Sequence, residues 1–134
     1  MKKIILLGLS ILMTLFLVSC ASTKKEVVCT IINETPYYFN IEVGQVLIKS
    51  NGNGYDWDSV GTPDNPKSNR NKFLRYTRIA PSKTKNIYKY PDEGFDFFIW
   101  GRTDDLKYVN GFGISKDSKL IHISILNGNL VIKN

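Results

Sequence analysis

YYFNIEV, residues 37–43, is the stretch that decides the fold class of this chain. Every second side chain is aromatic or β-branched, whereas the positions between them carry Tyr, Asn and Glu. Because successive side chains of a β-strand point to opposite faces of its sheet, this period of two predicts a strand with one buried face. The predicted inward residues are Tyr37, Phe39, Ile41 and Val43.

Further strands are predicted on both sides of this stretch. Residues 27–32 precede it across a turn at 33–36, and residues 45–49 either form a third strand or continue the second. Asn127 and Gly128 predict a type I′ hairpin turn, because both central positions of that turn need positive φ. The other predicted strands span residues 72–79, 84–90, 95–100, 106–114, 119–126 and 129–133.

About eight short strands separated by turns, with no helical period after residue 26, predict an all-β domain. We expect residues 27–134 to form a single antiparallel β-sandwich or a small barrel. The corner at Ile79, Ala80 and Pro81, and Gly94 before an aromatic strand, resemble immunoglobulin-like and transthyretin-like envelope domains. That resemblance implies a fold and no activity, because such folds carry many functions.

The first 19 residues have the features of a cleaved signal peptide. Lys2 and Lys3 form a short positive start, and residues 4–18 are almost entirely apolar. A membrane-spanning helix needs about 20 apolar residues, and this run is shorter. A cleaved signal is therefore favoured over a permanent membrane span.

Leu17, Val18, Ser19 and Cys20 resemble the lipobox of bacterial lipoproteins. The resemblance implies that the thiol of Cys20 receives a diacylglycerol and that the chain is cut before it. Residues 20–26 would then be a short lipidated tether between the membrane and the domain. Two or three acyl chains hold a protein stably at a bilayer. The expected location is a bacterial membrane, facing the periplasm or in the outer membrane where there are two membranes.

Lipidation of Cys20 leaves Cys29 as the other cysteine of the chain. An odd cysteine in an exported protein either pairs with another chain or stays free. Cys29 alternates with Val27 and Ile31, so the pattern favours a buried and unreactive thiol on the inner face of a strand.

Positive charge is concentrated in one part of the chain. The formal net charge is +6, and residues 65–91 contain eight Lys or Arg and no acidic residue. This run is interpreted either as a solvated, edge-protecting strand face or as a surface for an anionic glycan or an envelope protein. The candidate binding residues are Arg75, Arg78, Lys83 and Lys85. Nucleic acid is not an expected partner outside the cell.

Residues 50–71 are rich in Gly, Asn, Asp and Pro and predict a long loop, which is a candidate functional surface. Tyr55 and Trp57 lie in it as large aromatic groups in a polar setting. If exposed, they would stack against a ligand, and if folded back, they would cover one end of the sandwich. The Asn and Asp side chains nearby are attributed to turns rather than to calcium binding.

Catalysis has little support in the sequence. His122 is the only histidine, and no nucleophile motif accompanies it. We therefore expect no transition metal and no cofactor. The favoured function is a non-catalytic, lipid-anchored binding domain that uses residues 50–71 and the adjacent basic strands. Two alternatives are a small envelope glycan hydrolase with an acidic pair and an inhibitor or immunity lipoprotein.

Overall fold

The computed structural model describes residues 24–62, 65–71 and 77–134, and in them two β-sheets face each other across one core. Residues 1–19, predicted to be a cleaved signal peptide, and Cys20 lie outside the described residues. The strands are β1 Cys29–Asn33, β2 Phe39–Ile48, β3 Tyr55–Asp56, β4 Thr77–Ile79, β5 Thr84–Ile87, β6 Phe95–Arg102, β7 Val109–Ile114, β8 Leu120–Leu126 and β9 Asn129–Lys133. A 3₁₀ turn at Trp57–Ser59 and a short helix α1 at Ser68–Asn71 complete the described elements.

The two sheets confirm the predicted all-β sandwich and exclude the barrel alternative. One sheet has the strand order β5-β1-β8-β9. In the other sheet, β6 lies between β2 and β7. β3 and β4 both pair with β2, at opposite ends of that strand. All pairings are antiparallel except β1 with β8, which run parallel because β8 returns to the sheet beside β1 after crossing from the other layer.

The predicted alternation in residues 37–43 places the core. Phe39, Ile41 and Val43 are buried between the sheets. Residues 95–100, predicted as a strand, form most of β6, which lies between β2 and β7 in the five-stranded sheet. Tyr37 was predicted to point inward, and this prediction is wrong, because its side chain is 40% exposed. It lies before the first residue of β2 and packs on Tyr108, with ring centroids 5.4 Å apart, at the end of the sandwich rather than inside it.

Two turns have local chemistry that the sequence predicts. Asn127 and Gly128 have φ of 51° and 77°, which confirms the type I′ hairpin between β8 and β9. The turn at residues 80–82 separates β4 from β5, as predicted, but those strands enter different sheets. This turn therefore carries the chain from one layer to the other. Residues 72–76, predicted to begin β4, lie outside the described residues.

Residues 50–71, predicted to be a loop, contain short regular elements where the structure describes them, and part of this segment packs on the outer face of the five-stranded sheet. Helix α1 rests on β2, where Gly44 allows the close approach, since a Cβ there would lie 1.8 Å from the carbonyl oxygen of Arg70. Val46, Val60 and Phe98 form a second small apolar cluster beneath this segment. Among the described residues, no helix is long and apolar enough to cross a membrane.

Candidate functional site

A cleft of about 970 Å³ opens between the two sheets along β5. β5 is the edge of the four-stranded sheet, so among the described strands no further strand of that sheet closes the cleft on this side. The floor of the cleft is apolar and consists of Val28, Ile31, Ile41 and Val43. The rim is cationic and aromatic and includes Lys25, Glu26, Lys85, Tyr88, Lys89 and Tyr90. This volume is within the range of about 300–1,000 Å³ that small-molecule sites occupy.

Lys85 is the sequence-predicted residue that the structure places in the cleft. It pairs with Ile31 across the β1–β5 ladder and lies on the same face of β5 as Ile87. Lys83 lies just before β5 and is exposed. An inward-pointing lysine on an edge strand also discourages pairing with another chain, so protection of the edge is a second role for Lys85.

Arg78 belongs to a different surface from Lys85. Its guanidinium lies 2.6 Å from the Asp104 carboxylate and 4.5 Å from the centroid of the Tyr38 ring. Asn40, directly opposite on β2, also donates to Asp104 at 2.6 Å. The positive charge of Arg78 is thus balanced locally on the outer face of the five-stranded sheet. Arg75 lies outside the described residues.

Tyr55 and Trp57 lie over the outer apolar cluster, on the opposite face of the five-stranded sheet from the cleft floor. The Tyr55 hydroxyl donates to Asp96 at 3.0 Å, and burial together with that carboxylate raises the pKa of Tyr55 to about 12. Trp57 packs edge-on against Tyr55 and Phe98, with 47% of its surface exposed. The two aromatic residues therefore fold back on the sheet and do not join the lysines of the cleft.

The cleft continues onto an exposed surface at one end of the sandwich, which we call the tether pole and define as residues 24–27, 88–90, 119 and 120. Strand pairing creates it, because Cys29 faces Ile87 while Thr30 faces Leu120. The start of β1, the end of β5 and the start of β8 consequently meet at one end. Lys119 Nζ donates to the Tyr90 hydroxyl at 3.2 Å, which raises the pKa of Lys119.

Sequence reasoning found only part of this surface. Tyr88 and Tyr90 are aromatic residues that flank Lys89 within the basic run of residues 65–91. Lys24 and Lys25 were assigned to the tether, and Leu120 to a strand, with nothing local to connect them. The connection depends on the parallel β1–β8 pairing between segments about 90 residues apart, for which the sequence has no periodic signal.

His122 is held by a carboxylate but not coupled to a nucleophile. Its Nδ1 lies 2.6 Å from Glu34 Oε1 on the outer face of the four-stranded sheet. Ser124 follows on the same face, yet its buried hydroxyl has no hydrogen-bond partner. An activated serine needs a base within about 2.6–3.2 Å. The Glu34, His122 and Ser124 row is therefore not arranged for acyl transfer.

Three acidic residues that could serve a hydrolase or a cation, Asp56, Asp104 and Asp105, are engaged in local hydrogen bonds. Asp56 accepts from the backbone of Asp58 at 3.1 Å and caps the 3₁₀ turn. Asp105 accepts from the Thr103 hydroxyl at 2.6 Å, and this bond lowers the pKa of Asp105. In the parts of the chain described, no three His, Cys, Asp or Glu side chains converge as a metal site requires.

Cys29 is buried on the inner face of β1, as predicted, with 1% of its surface exposed. Burial raises the pKa of its thiol to about 11, with Lys119 acting weakly in the other direction. Since the thiolate is the reactive form, two features protect Cys29 from reaction: reagents cannot reach the buried sulfur, and the thiol stays protonated at neutral pH.

We expect Cys29 to resist thiol reagents in the folded protein. With Cys20 replaced by serine, a maleimide at neutral pH should label the chain only after denaturant is added. The raised pKa also gives a pH dependence. Unfolded thiols ionise near their ordinary pKa of 9.0, so the stabilisation by neutral Cys29 is complete below that pH and is lost as the pH rises towards 11. Rapid labelling without denaturant would contradict the burial.

Compared with known proteins, the chain has no significant match to any model of a protein family, any curated sequence or any solved structure.

Proposed function

We propose that this chain is a lipid-anchored protein of a bacterial envelope and that its β-sandwich is a non-catalytic binding domain. The Leu17–Cys20 pattern, following a charged start and an apolar run, supports lipidation at Cys20. In this proposal the acyl chains hold the protein at the membrane, and the protein has no cofactor and binds no nucleic acid.

The cleft along β5 is the binding site in this proposal, and the observation that carries it is the combination of a cationic, aromatic rim with an apolar floor. Lys25 and Lys85 border the cleft, and no carboxylate among the described residues forms an ion pair with either of them. Positive groups without partners attract anions, and the Tyr rings of the rim offer stacking surfaces. The ligand is therefore an anionic component of the envelope.

The anchor is tested by growth on labelled palmitate. The unmodified protein and a Cys29→Ala variant should carry label and fractionate with membranes, whereas Cys20→Ser should be unlabelled and soluble. The Cys29→Ala variant is the matched control, because it removes the other cysteine of the chain. Label that persists in Cys20→Ser, or that is missing from the unmodified protein, would contradict the proposed anchor.

The binding site is tested by retention of the lipid-free chain on an immobilised sulfated polysaccharide. Replacing Lys25, Lys85 and Lys89 with glutamine should lower the salt concentration needed for elution. The control replaces Lys49, Lys107 and Lys133, which are exposed and do not line the cleft, so that both variants have the same net charge. Equal elution of the two variants would show that only net charge matters and would remove the cleft as the site.

A further inference from the structure

We propose that the tether pole is a membrane-docking surface that lies on the anionic phospholipid headgroups of the bilayer holding the anchor. This inference rests on the proposed anchoring at Cys20 and names the anionic ligand of the cleft rim as a lipid surface. Docking would fix the orientation of the sandwich, with β5 and the starts of β1 and β8 towards the membrane.

Chain length places this pole at the bilayer. Lys25 borders the cleft and is five residues from Cys20. Five residues span at most about 17 Å when fully extended. Three residues after Lys25, the backbone is bonded to the four-stranded sheet, since Val28 N donates to Ile87 O at 2.8 Å. The pole is therefore the part of the domain that the lipid brings to the headgroups.

The charges of the pole suit an anionic surface. Lys24, Lys25, Lys89 and Lys119 are exposed there. Glu26 and Asp117 act on Lys119, and two more acidic residues, Asp92 and Glu93, follow residues 88–90 in the chain. Among the described carboxylates, none forms an ion pair with Lys24, Lys25 or Lys119. Basic side chains beside a membrane anchor are attracted to anionic lipids, each strengthening attachment roughly 5-fold.

The apolar side chains of the pole suit the interface between headgroups and acyl chains. Four large hydrophobic residues of the pole are about half exposed, namely Val27 at 43%, Tyr88 at 50%, Tyr90 at 46% and Leu120 at 50%. Tyrosine is favoured at this depth because its ring contacts lipid while its hydroxyl stays in water. Lysines extend in the same way, with their stems on apolar surface and their ammonium groups at the phosphates.

The opposite end of the sandwich provides a comparison within the same molecule. It also exposes aromatic and aliphatic side chains, including Tyr38 and Leu106. Its basic residues include Arg78, which is paired with Asp104, and Lys107, whose ammonium lies 5.3 Å from the centroid of the Tyr108 ring. That end combines its basic groups with the carboxylates of Asp104 and Asp105 and lies away from the proposed anchor, so charge and proximity to Cys20 together favour the tether pole.

The test uses sedimentation with vesicles of the chain from residue 20, in which Cys20→Ser removes the acyl chains. The main core is formed by residues between Val28 and Ile132. A chain that begins at residue 20 therefore keeps this core and lacks only the lipid of the proposed mature protein. We expect binding to vesicles of phosphatidylglycerol and phosphatidylethanolamine and little binding to phosphatidylcholine alone. Raising the ionic strength from about 0.05 M to about 0.5 M should weaken binding at least 10-fold, because screening shortens the range of charge attraction.

Matched variants locate the surface. Replacing Lys24, Lys25 and Lys119 with glutamine should reduce vesicle binding about 10-fold or more, while the Lys49, Lys107 and Lys133 control with the same net charge should bind nearly as the unmodified chain does. Tyr88→Ser with Leu120→Ser should weaken binding more than Tyr38→Ser with Leu106→Ser.

Two results would overturn the inference. One is equal vesicle binding by the two lysine variants. The other is retention on the sulfated polysaccharide without binding to anionic vesicles, which would leave a cleft that takes a soluble anion. Neither result affects the palmitate experiment, so failure of the anchor and failure of the docking surface are distinguishable.

Discussion

Replacing Arg70 with methionine should lower the free energy of unfolding by about 3–5 kcal/mol. Arg70 Nε donates to Glu42 Oε1 at 2.6 Å, and both side chains are only 1% exposed. The variant would leave the Glu42 carboxylate buried beneath helix α1 without its partner. A charge without a partner in a poorly polarisable interior costs far more than the net gain from the pair.

Two controls separate the buried charge from other effects of the substitution. Arg78→Met breaks an ion pair with the same 2.6 Å separation whose side chains are 55% and 61% exposed, and it should cost about 1 kcal/mol or less. Combining Arg70→Met with Glu42→Leu should recover most of the stability, since no buried charge remains. Urea unfolding measures all the variants. A loss for Arg70→Met no larger than that for Arg78→Met would show that the segment over β2 does not bury the pair.

Asn33→Ala should destabilise the domain by about 3 kcal/mol, because it leaves several buried backbone groups without partners. The Asn33 side chain is fully buried at the end of β1. Its amide donates to the carbonyl oxygens of Tyr37, Ile79 and Ala80 at 2.7, 3.2 and 3.1 Å. Its oxygen accepts from the backbone and the hydroxyl of Thr35 at 3.0 and 2.8 Å. One side chain thus joins the β1–β2 corner to the turn that passes between the sheets.

The matched control for Asn33 is Asn40→Ala, which removes a single exposed hydrogen bond to Asp104 and should cost about 1 kcal/mol or less. Asn33→Asp is a sharper variant, since it keeps the shape but presents a carboxylate to three carbonyl oxygens. It should be less stable than Asn33→Ala at neutral pH and should regain stability on acidification, when a protonated carboxyl can donate. Thermal unfolding at several pH values measures both. Equal stability of Asn33→Ala and Asn40→Ala would contradict the role of this corner.

The Asn33 corner and the Arg70–Glu42 pair show which structural features the local sequence predicts and which it does not. Asn33 and Thr35 predict a turn after the first strand, because their side chains bond to nearby backbone. The contacts of Asn33 with residues 79 and 80 have no local signal. Glu42 occupies a polar position in the alternation and predicts an exposed carboxylate. It is buried because Arg70 and helix α1 cover that face of β2, which neither segment encodes by itself.

The basic run of residues 65–91 shows the same difference between what the local sequence predicts and what the sheet topology decides. Arg78 and Lys85 belong to one stretch of positive charge and were predicted to form one surface with Lys83. The turn at 80–82 sends β4 and β5 into different sheets, so Arg78 meets Asp104 while Lys85 borders the cleft. Charge composition predicted that a cationic surface exists. The sheet topology decided which lysines share it.

By itself, the sequence determined most of the strands, the inward face of β2 from Phe39 onward, the buried thiol of Cys29 and the hairpin at residues 127–128. Each follows from backbone geometry and burial within a few neighbouring residues, whose period of two is fixed by the pleat of a strand. Only the tertiary structure decided that helix α1 covers a buried ion pair and that three strand ends meet at the tether pole. Those features depend on pairing between residues distant in the chain, and the sum of many weak contacts that selects the pairing leaves no periodic signal in either partner.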